Sequence, residues 1–170
     1  MPKRHLLIVF HSKTGHTQAL ADAACRGAAH PDVVEHVEVR CLGADAAGPD
    51  DLLWAHALLL GTPENFGYMS GALKDFFDRT FYEVEGRLAP LPYAVFICAG
   101  NDGSGALRGI ARIARGYPFV EVQEAVICRG APAGSAIGHS AAALQLTPSD
   151  LQRCEELGMA MAFGLEAGLF

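Results

Sequence analysis

The segment His11-Ser12-Lys13-Thr14-Gly15-His16-Thr17 sets three hydroxyls, a lysine and a glycine within seven consecutive residues. It joins a continuous apolar run, Leu6–Phe10, to an Ala-rich stretch of helical period from Thr17 to about Ala29. A polar turn between a buried strand and a helix N-terminus can offer several N–H and O–H donors to one anion, and the helix dipole favours the negative charge. Phosphate suits such a turn better than carboxylate because it has more acceptor oxygens to satisfy. The same residue types also cap helices without any ligand, so this turn alone supports a phosphate site and a plain cap equally. Two better-known phosphate loops are absent. No Gly, four residues, then Gly-Lys-Ser/Thr occurs, and G-x-G-x-x-G does not close the first strand. Its nearest approach, Gly103-Ser104-Gly105-Ala106-Leu107-Arg108, has Arg in the last place and follows a later strand.

Two further glycine-rich polar segments share the character of the first: Gly61 to Ser70, and Ala99-Gly100-Asn101-Asp102-Gly103. Other chemistries find less support. The seven histidines contain no H-E-x-x-H, and the five cysteines (25, 41, 98, 128, 154) contain no C-x-x-C, which leaves a metal centre without ligand spacing. No G-x-S-x-G elbow surrounds Ser70, Ser104 or Ser135, which argues against a serine hydrolase. His139 lies in the Ala/Gly-rich stretch Gly130 to Leu146 and reads as a solvated loop residue. Arg108, Arg112 and Arg115 share one helix face and read as a solvated basic face, with attraction of a nicotinamide cofactor's phosphates as the alternative.

The elements that must position these loops are legible from apolar periodicity. Buried strand-length runs are expected at Leu6–Phe10, Ala57–Leu60 and Tyr93–Cys98, with an alternating edge strand at Val33–Arg40 and a fifth strand over Phe119–Cys128. Helical segments alternate with them. One opens at Pro49-Asp50-Asp51 and ends near Trp54. Another is capped by Ser70 and carries Leu73, Phe76, Phe77 and Thr80; a third carries Leu107, Ile110, Ala111 and Ala114. Thr147-Pro148-Ser149-Asp150 starts the last, with N-cap, Pro at N1 and an acid at N3. This alternation predicts a parallel sheet covered on both faces, with ligands in the crevice beyond the strands' carboxyl ends, where all three polar loops fall.

The 170 residues carry Lys+Arg 13 and Asp+Glu 19 for a net charge of −6, and form one expected domain over residues 1–170. At 51% hydrophobic and 19% charged, the chain is too apolar for disorder, and its acidity gives no support to nucleic-acid binding. The basic start Pro2-Lys3-Arg4 precedes only a short apolar run, too short for a signal-peptide core or a membrane span. Scattered cysteines fit a reducing compartment. The expectation is a cytoplasmic protein with no membrane partner.

Ser12-x-Thr14-Gly15-x-Thr17 resembles the [S/T]-x-T-G-x-T phosphate loop of flavodoxins and is placed where they place it. Gly61-Thr62-Pro63-Glu64-Asn65-Phe66-Gly67-Tyr68-Met69, followed by Lys74-x-Phe76-x-Asp78-x-Thr80, is similar to the corresponding stretch of WrbA-type NAD(P)H:quinone oxidoreductases and related FMN reductases. The resemblance implies a flavodoxin-like three-layer fold, with a five-stranded parallel sheet of order 2-1-3-4-5. It implies FMN as cofactor, NAD(P)H as reductant and a quinone or similar small acceptor, reduced by two-electron hydride transfer, with no side chain required as acid or base. The implied cofactor-binding residues are Ser12, Lys13, Thr14, Gly15, His16 and Thr17 for the phosphate. For the ring they are Pro63, Glu64, Asn65, Phe66, Gly67 and Tyr68 on one side and Ala99, Gly100, Asn101, Asp102 and Gly103 on the other. Phe66 could instead be a core anchor that holds its loop down. The third loop departs from both relatives. It lacks the flavodoxins' stacking aromatic and the Ser/Thr and paired glycines of the WrbA pattern. With no Trp to cover the ring, one face stays open for a nicotinamide or quinone, which favours a reductase over a one-electron carrier. A carrier of the flavodoxin type and a cofactor-free binding module are the alternatives, and homo-oligomerisation is implied by analogy.

Overall fold

The computed structural model describes residues 2–130 and 144–170. In chain order its elements are β1 (Arg4–Phe10), α1 (His16–Ala28), β2 (Val37–Gly43), α2 (Pro49–Trp54), β3 (Ala57–Asn65) and β4 (Tyr68–Met69). There follow α3 (Gly71–Val84), β5 (Leu91–Cys98), α4 (Ser104–Ala114), β6 (Phe119–Glu121), β7 (Val126–Cys128) and α5 (Pro148–Glu166). The parallel strands run in the order β2-β1-β3-β5-β6, and β7 also pairs with β5. Leu6 stands beside Ala57 and Phe10 beside Gly61, while Leu58 stands beside Tyr93 and Pro63 beside Cys98.

The central runs are continuous rather than alternating because both faces of the sheet are covered. Leu7, Val9, Leu58, Leu60, Val95 and Ile97 point into one core with Leu52 of α2, Leu73, Phe76 and Phe77 of α3, and Ile110 of α4. Leu6, Ile8, Leu59, Ala94 and Phe96 point into the other, with Leu20 and Ala24 of α1 and Leu157 and Met161 of α5. Each fully buried Leu, Ile or Phe contributes about 1.5–3 kcal/mol relative to exposure. Helices α1 and α5 approach so closely that a Cβ on Gly158 would lie 2.0 Å from the Ala24 carbonyl oxygen. Small residues at Gly27 and Gly158 therefore fix where these helices cross.

Three expected boundaries shift, each for a local reason. The second strand begins at Val37, because residues 31–36 form turns with Val34 and Val37 N–H donating to the His30 and Val33 carbonyls. The fifth strand is split at residues 122–125 into β6 and β7, both beside β5. The segment Gly61 to Ser70 is only in part a loop. β3 continues to Asn65, and Phe66-Gly67 forms a two-residue turn into β4, with Glu64 beside Met69 and Asn65 beside Tyr68. Both turn residues have positive φ (51° and 69°), as hairpin turns of this length require. The sheet thus has seven strands, five positions of which keep the expected parallel order.

Candidate functional site

The three polar loops meet beyond the carboxyl ends of β1, β3 and β5. The first turns on Gly15, whose φ of 93° suits glycine and whose α-carbon faces open space. Gly15 N–H donates to the Ser12 hydroxyl at 3.1 Å, which shapes the loop, and the Thr14 hydroxyl lies 2.8 Å from His16 Nδ1. Thr17 is buried, while Lys13, Thr14 and Gly15 are exposed.

The helix N-termini decide where an anion would sit. Helix α2 is capped by Asp51, which accepts from Gly48 N–H at 2.9 Å, and α3 by Ser70, which accepts from Leu73 N–H at 3.2 Å. Helix α5 has the expected box, Thr147 with Asp150. Helix α4 is capped from another element: Glu64 of β3 accepts from Gly103 N–H at 2.9 Å and from Ala106 N–H at 3.1 Å. Helix α1 has no side-chain cap and no acid in its first turn. Its orphan N–H groups and positive dipole end are the ones left open among hydroxyls, which fits the phosphate of FMN. A second mark of fit lies at the loop's base. His11 N–H donates to the Gly61 carbonyl at 3.1 Å, joining the first loop to the second, while its ring Nδ1 is buried with no hydrogen-bond partner in the protein.

The second loop is braced from below. Thr62 is buried; its hydroxyl donates to the Pro63 carbonyl at 2.8 Å and accepts from Ser70 N–H at 2.9 Å. Phe66 at the hairpin tip is fully exposed, so the alternative of a core anchor is overturned: its positive φ turns the ring away from the protein. Tyr68 instead packs on α4, where a Cβ on Gly109 would come within 2.5 Å of its ring. The hairpin tip rests on the same helix through Gly105, whose absent side chain admits the Gly67 carbonyl.

Glu64, expected among the cofactor-binding residues, has both carboxylate oxygens on α4, so it ties the second loop to the third. Ala99 is buried, leaving only its backbone to face the crevice. Gly100, Asn101 and Asp102 are exposed. Asp102 accepts from the Ser104 hydroxyl, and Arg108 donates to the same hydroxyl at 3.0 Å. The Ser104 hydroxyl, then the Ser104 amide and the charges of Arg108 and Arg129, hold the Asp102 carboxyl below its usual range against a small opposing desolvation.

Two bracing residues escaped the sequence reading. Thr62 sat inside an assumed loop. Arg129 follows β7 and donates to the Asn101 carbonyl at 2.9 Å and to the Asp102 carbonyl at 2.7 Å. Its one signal was position: it is the first polar residue past the fifth apolar run, at the loop-bearing edge. Trp54 lies at the opposite edge, stacked on His5. Arg112 and Arg115 are exposed, as a solvated basic face requires. His139, Ser135 and most of the Gly130–Leu146 stretch lie outside the described residues. No helix among those described is long and apolar enough to cross a membrane.

Residues 7–117 match the family described as NADPH-dependent FMN reductase. The chain belongs to that family. A flavodoxin from Aquifex aeolicus is 32% identical over 100 residues, covering 59% of this chain and 52% of its own length. An NAD(P)H dehydrogenase (quinone) from Acidithiobacillus ferrooxidans is 30% identical over 120 residues, covering 59% of each. The chain thus spans between half and three-fifths of these curated relatives. Among solved structures, an archaeal flavodoxin superposes with TM-score 0.72 at 22% identity, covering 95% of this chain and 99% of that one. A WrbA-like flavodoxin from Agrobacterium tumefaciens gives 0.71 at 18%, covering 97% and 99%. The fold is flavodoxin-like.

Proposed function

We propose that this protein holds FMN across the loop-bearing edge of its sheet and uses NADH or NADPH to reduce quinones or similar small acceptors, two electrons at a time. One observation carries the reading: α1 is the helix whose N-terminus lacks a protein cap, and it opens from Ser12-x-Thr14-Gly15-x-Thr17. Ser12, Thr14, Gly15, His16 and Thr17 would hold the phosphate, with Lys13 adding positive charge from solvent. Asn65, Phe66, Gly67 and Tyr68 would flank the ring on one side, with Pro63 stiffening their approach. The backbone of Ala99, Gly100, Asn101, Asp102 and Gly103 would flank the other.

When bound, the flavin supplies two-electron redox chemistry between a nicotinamide and the acceptor. The protein's part is orientation, tuning and access. Glycine and backbone donors allow close approach to a flat ring, and the third loop has no aromatic to cover it. Glu64 and Arg129 hold that loop from its two sides, so the slot needs little reorganisation to accept a rigid ligand. The names of the two curated relatives support different roles, flavodoxin for one and quinone dehydrogenase for the other. The uncovered ring face favours the second.

Titration of the purified protein with FMN, followed by NADH or NADPH oxidation with and without a soluble benzoquinone, tests the reading. Saturable FMN binding and quinone-dependent nicotinamide oxidation are expected. FMN binding with negligible nicotinamide turnover would make the protein a carrier, and absence of FMN binding would remove both flavin roles.

A further inference from the structure

The edge of the sheet opposite the loops carries its own recess. Two adjoining cavities, of about 350 and 510 Å³, lie across the amino ends of β1, β3 and β5 and share Arg4 and His56 as lining. The smaller is floored by Leu53, Leu88, Leu91, Leu165 and Phe170. Three cations converge on this trough, Lys3, Arg4 and Arg87, against one lining acid, Glu38. Among the described residues none of the three cations enters an ion pair. Lys3 donates to the Val34 carbonyl at 3.2 Å and Arg87 to the Glu83 carbonyl at 3.0 Å, which leaves their charges uncompensated. A local excess of positive charge is unexpected in a chain of net charge −6.

The wall of the trough is rigid and aromatic. The His5 ring stacks on Trp54 at 4.2 Å and on His56 at 4.7 Å. His5 N–H donates to His56 Nδ1 at 2.9 Å. In neutral His56 the ring proton is therefore on Nε2, an additional donor at the mouth of both cavities. Burial, then the neighbouring charges of His5 and Arg4, disfavour protonation of His56. An apolar floor with a few convergent donors and cations, at this volume, is the make-up of a small-ligand site.

We propose that this trough binds a small organic anion, its apolar body over Leu53, Leu88 and Phe170 and its acid group between Arg4 and Arg87. Arginine's planar fork matches carboxylate and phosphate oxygens. The inference is independent of the flavin reading, because the trough and the loops are at opposite ends of the strands.

Phenylacetate serves as probe, with phenylacetamide as its neutral counterpart and inorganic phosphate as the acid group without a body. Trp54 is the chain's single tryptophan, so its one indole N–H signal reports arrival at the wall by NMR, with FMN present in excess to fill the other site. Phenylacetate is expected to shift that signal saturably. Arg4→Gln with Arg87→Gln should weaken it about ten-fold or more, the loss of charge-assisted bonds, while FMN affinity stays unchanged. Phenylacetamide and phosphate should each bind at least about ten-fold more weakly than phenylacetate. No saturable shift, or an equal affinity in the double variant, overturns the proposal. Equal binding of phenylacetamide overturns the anion requirement, and equal binding of phosphate overturns the apolar body.

Discussion

Glu64→Ala removes both oxygens that accept from Gly103 and Ala106, at 2.9 and 3.1 Å, and leaves α4 without a cap. Hydrogen bonds to a charged group contribute about 1.5–3 kcal/mol each, which sets an upper bound of about 3–6 kcal/mol for the pair. Glu64 is only half-buried, so water recovers part of what the amides lose. The loss of an N-cap acceptor, about 1–2 kcal/mol, is therefore the better measure. For a chain of this length about 2 kcal/mol lowers Tm by roughly 4–8 °C. Glu64→Gln keeps one acceptor oxygen and loses the charge, so it should cost about half as much. FMN binding should weaken about ten-fold in Glu64→Ala if the freed third loop must be ordered on binding, since 1.4 kcal/mol corresponds to ten-fold. Thermal melting of the FMN-free protein and FMN titration of both variants measure the two effects separately. A Glu64→Ala protein that melts within about 1 °C of its parent and binds FMN equally well would refute the claim that this carboxylate joins the two loops.

Four further outcomes are expected. Gly105→Ala drives a Cβ to 2.0 Å from the Gly67 backbone oxygen, so it should cost about 2 kcal/mol or more and weaken FMN binding; Gly109→Ala meets the half-exposed Tyr68 ring, which can swing aside, and should cost clearly less in the same melting assay. Phe66→Asn relieves a bulky residue at φ 51° and should raise stability by about 1 kcal/mol while lowering FMN affinity, because the exposed ring is the part offered to the flavin. Thr14→Asp, at an exposed position, should leave melting nearly unchanged but sharply weaken FMN binding by repelling its phosphate. The Asp102 carboxyl should titrate below the usual range by NMR. Because its folded value is depressed, its contribution to holding the third loop is present above the ordinary Asp value and fades as pH falls through the lowered one; Ser104→Ala should move the midpoint back up.

Which parts of the molecule were legible in advance follows from the range of the forces involved. The runs Leu6–Phe10, Ala57–Leu60 and Tyr93–Cys98 read as buried parallel strands because an apolar segment covered on both faces has no polar side to show. The caps at Ser70 and at Thr147 with Asp150 were equally readable, since donor and acceptor lie three residues apart. The turn at Phe66-Gly67 was hidden because it lacks the Asn-Gly or Asp-Gly signature of its geometry, and the split of the fifth strand has no local mark within Phe119–Cys128.

The sequence by itself determined the alternation of strands and helices, the edge at which the polar loops gather, and the phosphate-type turn at Ser12 to Thr17. Each is written in residues near one another, where periodicity and turn chemistry act. Tertiary structure alone decided which helix end stays open. Glu64 reaches Gly103 and Ala106 across 39 and 42 residues, and Arg129 reaches Asn101 and Asp102 across 28 and 27. No local pattern announces such contacts, because they exist only once β3, β5 and β7 lie side by side and bring a carboxylate and a guanidinium to the same loop.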